Sequence, residues 1–85
     1  MKKYNEVIEA ADIAIESNPK NIKAYFFKAK SLFYMKELSK ALECIQKARN
    51  INPYHQEIIN EEIIIQLEYH KFIEKEKQIY SRMFK

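Results

Sequence analysis

From Ile58 onward, apolar residues return at three- and four-residue steps through Ile59, Ile63, Leu67, Phe72, Ile73, Ile79, Tyr80 and Met83. Such steps line up along one stripe of an α-helix, and neither glycine nor proline interrupts them. The pattern therefore predicts one long amphipathic helix from about Tyr54 to Phe84, or the same helix broken near Glu68–Lys71. Ile63-Ile64-Ile65 has the composition of a buried strand, but its helical flanks assign it to the helix. Upstream, Tyr25, Ala29 and Leu32, then Leu38, Ala41, Leu42 and Ile45, keep helical spacing in two shorter segments, and Val7, Ala11 and Ala14 do so across 3–17. The expected fold class is all-α.

The segments also repeat. Asn18-Pro19 returns as Asn52-Pro53, 34 residues on, and at that offset Lys2 matches Lys36, Glu9 matches Glu43 and Ala14 matches Ala48. A period of 34 is that of tetratricopeptide (TPR) arrays, and the unit from about Ile22 to Pro53 resembles their helix-turn-helix pattern. Tyr25 takes the tryptophan position, Ala29 the small-residue position, Leu32 the tyrosine position, Ala41 and Ile45 the A-x-x-x-F pair, and Pro53 the terminator; Lys28 stands where the pattern has leucine. The small residues matter because Ala29 and Ala41 allow two antiparallel helices to cross closely, with Tyr25, Leu32, Leu38, Leu42 and Ile45 filling the space around them. The chain is thus expected to be a single TPR-type domain of about 1.5 repeats. Residues 1–18 form the second helix of a partial repeat, 20–53 a complete repeat and 54–85 an extended capping helix. Tyr4, Ile8 and Ile15 should lack part of their partner surface, so the chain reads as the end of a longer array or as one that self-associates through its first helix.

Composition narrows the chemistry. The 85 residues include no glycine, two prolines and no tryptophan, which disfavours sheet-rich folds and the glycine loops that cradle phosphates. Hydrophobic residues at 47% and charged residues at 32% suit a small globular chain, and no apolar run reaches the length of a membrane span. With Cys44 as the only cysteine an internal disulfide is excluded, which fits a reducing, cytoplasmic address. The net charge of +3 is unevenly spread: residues 20–49 and 71–85 are basic, 1–19 and 50–70 acidic. That pattern suits an acidic partner, or simply a solvated face.

Two stretches carry a closer likeness. Asn21-Ile22-Lys23-Ala24-Tyr25-Phe26 and Glu74-Lys75-Glu76-Lys77-Gln78-Ile79-Tyr80-Ser81-Arg82-Met83-Phe84-Lys85 resemble the carboxy-terminal TPR region of large immunophilins: FK506-binding proteins, the TPR-bearing cyclophilin and the aryl-hydrocarbon-receptor-interacting protein. The resemblance implies a co-chaperone domain that takes the acidic carboxy-terminal peptide, ending Met-Glu-Glu-Val-Asp, of the ninety-kilodalton heat-shock chaperone (Hsp90). In that family a prolyl-isomerase or related domain precedes the repeats. It also implies that Lys23 is one lysine of the family's carboxylate clamp, while Phe27 stands where the second cation usually lies and Lys30 is a substitute for it.

Lys23, Phe27 and Lys30 fall at i, i+4 and i+7 on one side of their helix, with Phe26, Phe33 and Tyr34 near, so the candidate peptide-binding set is Lys23, Phe27, Lys30 and Tyr34. A second candidate, for tail interaction, is Lys75, Tyr80, Met83 and Phe84, where a basic amphipathic helix could serve as ligand for calmodulin or a chaperone surface. Lys28 reads as a solvated charge, and Glu61-Glu62 as solvated surface. His55 and His70 are too far apart to share a metal, and Cys44 has no histidine beside it in sequence. No enzyme activity, cofactor, nucleic-acid or membrane partner is expected; the partner is a protein, an acidic chaperone peptide or another copy of the chain.

Overall fold

A computed structural model describes residues 3–83, apart from the Tyr80 side chain, and within them the chain is four helices with no strand. They are α1 (Tyr4–Ser17), α2 (Ile22–Tyr34), α3 (Leu38–Ile51) and α4 (Gln56–Met83). Each packs on the next, α2 also meets α4, and α1 touches no helix but α2. The all-α expectation and the helical-hairpin array are both present.

The repeated Asn-Pro pair sets two equivalent corners. Proline forces the residue before it out of the helical region, and Asn18 and Asn52 are extended at φ −145 and −140. Each asparagine side chain then accepts an amide two residues on, Lys20 at 3.1 Å and Tyr54 at 3.2 Å. Asn21 caps α2 by accepting the Ala24 amide at 3.2 Å. His55 occupies the corresponding place before α4, and its Nδ1 is buried without a hydrogen-bond partner.

The α2–α3 turn solves a different problem. Lys36 takes a left-handed conformation, φ 68, in a chain with no glycine to offer. The Lys36 amide donates to the Phe33 carbonyl and the Glu37 amide to the Leu32 carbonyl, at 3.0 and 2.9 Å, so the last carbonyls of α2 are satisfied in a Schellman motif. The conformation is held by these bonds against the steric cost that any Cβ brings there.

At the centre, Ala29, Ala41, Ile45 and Ala48 on α2 and α3 are fully buried, and Ile58 and Ile65 of α4 close the same cluster. Of Ile63-Ile64-Ile65 only the last is buried, the signature of a helix rather than a strand. α4 runs unbroken through Glu68–Lys71, where Lys71 pairs with Glu68 one turn back at 3.5 Å.

Two charges overturn the expectation of solvated surface. Lys28 is half-buried, and its Nζ donates to Asp12 of α1 at 2.6 Å. Glu62, only 5% exposed, accepts from the Arg49 guanidinium of α3. Lys28 and Glu62 lie 34 residues apart. They therefore hold the same repeat position, where the TPR pattern has leucine, and each reaches back to the preceding helix. A charge at this inward position is tolerated because it is paired; unpaired burial would be costly. The hydrogen bond with Asp12 raises the Lys28 pKa above its ordinary value, with burial opposing.

Three outcomes follow from this packing. Ala29→Leu overpacks the crossing and costs about 1–3 kcal/mol, seen as a lower urea midpoint; unchanged stability would mean the helices do not meet there. Lys36→Gly relieves the left-handed cost and stabilises by about 0.5–1 kcal/mol, whereas Lys36→Ala does not. Because the folded pKa of Lys28 is raised, its coupling to Asp12 is present below the pKa of the unfolded lysine and is lost as pH climbs through the folded value. A double-mutant cycle on Lys28 and Asp12 should therefore give a constant coupling of about 0.2–1 kcal/mol across neutral pH. A coupling that decays between pH 5 and 8 would contradict the assignment.

Candidate functional site

The first turns of α2 form a ridge between two grooves. On one side, Ile22, Lys23, Phe26 and Phe27 face His55, Glu57 and Ile58 at the start of α4, enclosing about 120 Å³. On the other, Lys23, Ala24 and Phe27 face Val7, Ala10, Ala11 and Ala14 of α1 across a wider opening. Lys23 and Phe27 border both. Their placement follows from local structure: Asn21 fixes where α2 begins, and burial of Ala24 and Ala29 turns positions 23 and 27 outward. Lys23 is exposed and makes no ion pair among the described residues. Phe27 is 50% exposed, a large apolar ring beside a free cation.

The other candidates lie elsewhere. Lys30 stands over the Phe26 ring, 5.5 Å from its centroid, and borders neither groove. Tyr34 sits at the far end of α2 and stacks on Tyr4 of α1 at 5.7 Å. The structure thus brings Lys23 and Phe27 together and leaves Lys30 and Tyr34 outside the grooves they border. In the tail set, Lys75 lies along a shallow surface of α4 with Leu67, Lys71 and Gln78, and Met83 is 69% exposed. Phe84 and the Tyr80 side chain are outside the described residues.

Sequence reading missed the far wall of the first groove. The 34-residue offset was the signal for it: His55 corresponds to Asn21, Glu57 to Lys23 and Ile58 to Ala24. The repeat therefore puts a carboxylate across from the lysine, and the groove presents one cation, one anion and an imidazole around an apolar floor. A pocket this small takes one side chain rather than a cofactor, since small-molecule sites usually enclose about 300–1,000 Å³.

Nothing in the arrangement activates a nucleophile. Burial pushes the Cys44 thiol up, with Lys28 and Lys47 opposing, so it stays protonated at neutral pH. Among the described residues no three His, Cys, Asp or Glu side chains are placed to hold a metal ion, and no helix is long and apolar enough to cross a membrane.

Compared with known proteins, the chain has no significant match to a curated sequence. The family model described as "Tetratricopeptide repeat" matches residues 22–55, the stretch from the start of α2 to the residue before α4. With the helical hairpin and the alanine crossing, that match makes residues 22–55 a tetratricopeptide repeat, a non-catalytic protein-interaction fold.

Proposed function

We propose that the chain binds the acidic carboxy-terminal peptide of an Hsp90-type chaperone, as part of an immunophilin-like co-chaperone of the cytoplasm. The observation that carries this reading is the Lys23–Phe27 ridge, an unpaired cation and an exposed ring at the mouth of an apolar pocket. A carboxylate would engage Lys23 while the neighbouring apolar side chain of the peptide enters between Phe26, Phe27 and Ile58. The likeness of residues 21–26 and 74–85 to immunophilin repeat regions supports the choice of partner. Glu57 across the groove opposes a second carboxylate, so a chain with this wall binds such a peptide weakly. Lys30, over Phe26, contributes by long-range attraction rather than by contact.

An NMR titration with a peptide ending Met-Glu-Glu-Val-Asp should shift amides in the first turns of α2 and around His55–Ile58. Lys23→Glu should abolish the shifts. Glu57→Lys, which trades a repulsive charge for an attractive one, should tighten binding roughly 2–10-fold. No saturable shift at millimolar peptide, or equal binding by Lys23→Glu, would overturn the reading.

A further inference from the structure

We propose that the groove between α2 and α4 selects a peptide of mixed charge, in which an acidic and a basic residue flank the apolar side chain that enters the pocket. The inference rests on the reading that this groove holds a peptide through Lys23, and it defines the chemistry of that peptide more closely. The 34-residue offset matches the two banks position by position: Lys23 with Glu57, Phe27 with Glu61 and Lys30 with Ile64. Lys23 and Lys30 stand on one face of α2 at i and i+7, and Glu57 and Glu61 on one face of α4 at i and i+4. One bank is therefore basic and the other acidic.

Among the described residues none of these four charges forms an ion pair. Other charges of the chain do pair across helices, Lys28 with Asp12 and Arg49 with Glu62. Lys23 and Glu57 instead border one cavity from opposite walls without meeting. Between them Ile22, Phe26, Phe27 and Ile58 leave about 120 Å³, room for one apolar side chain. A carboxylate on one side of that side chain and an ammonium or guanidinium on the other would satisfy both walls at once. A second carboxylate would sit against Glu57 and be repelled by it. Selection of this kind comes as much from rejecting the wrong charge as from attracting the right one.

Two peptides that differ at one residue test the selection by NMR titration. One ends Met-Glu-Glu-Val-Asp; the other ends Met-Glu-Lys-Val-Asp, which sets a base, an apolar residue and an acid in succession. The wild-type protein should bind the lysine-bearing peptide roughly 3–10-fold more tightly, and added salt should compress the difference. Glu57→Lys should invert the preference and Glu57→Gln should narrow it. Glu57 is exposed, so helicity by circular dichroism should be unchanged in both variants. Equal affinity of the wild type for the two peptides, tighter binding of the all-acidic one, or a preference that survives Glu57→Lys would each overturn the inference while leaving peptide binding in place. Saturable binding of the lysine-bearing peptide alone would sustain the inference and remove the chaperone peptide as the partner. Absence of saturable binding by either peptide would overturn both.

Discussion

The close crossing of α2 and α3 at Ala29 and Ala41 is the constraint on which the rest depends. Both residues have no exposed surface, and they share a cluster with Ile45, Ala48, Ile58 and Ile65. A core with so many alanines gains little from each side chain and must gain instead from helices lying near one another, where dispersion contacts are dense. Once that crossing fixes the roll of α2, its outer positions follow. Residues 24 and 29 turn inward, and Lys23 and Phe27 are left on the ridge between the two grooves.

Paired charges link the helices that the alanine crossing does not join. Lys28 with Asp12 ties α2 to α1, and Glu62 with Arg49 ties α4 to α3. Both use the position at which a more regular repeat would place leucine. Glu62 is buried and would be costly without Arg49, so that pair penalises any register in which the partner is absent, whereas the more exposed Lys28–Asp12 pair adds only a surface-pair increment. In a thin stack of four helices with few large side chains in its core, such a penalty helps select one arrangement of the neighbours.

Periodicity alone made the helices legible, and the 34-residue offset made the corners legible down to their torsions, since Asn18 and Asn52 adopt nearly the same angles. Ala29 and Ala41 were readable because small residues at a helix crossing have one evident use. The charges at Lys28 and Glu62 were not, because burial of a charge is decided by a partner on another helix, Asp12 or Arg49, that no local pattern announces. Lys36 hid the left-handed turn, which is normally flagged by glycine. Of the candidate site, Lys23 and Phe27 were found through helical spacing and family likeness. Spacing also nominated Lys30 and Tyr34; Lys30 instead folds back over Phe26 one turn earlier on the same helix, and Tyr34 stacks on Tyr4 of α1. The opposite wall, His55, Glu57 and Ile58, could have been read by carrying the offset one unit further.

The most direct test is a nuclear Overhauser measurement on protein with alanine and isoleucine methyls selectively labelled. The account predicts strong cross-peaks linking the methyls of Ala29, Ala41 and Ile45, with Ala10 in none of them. Absence of cross-peaks between Ala29 of α2 and the two α3 methyls would contradict it, since the ridge that carries Lys23 would then have no reason to face either groove.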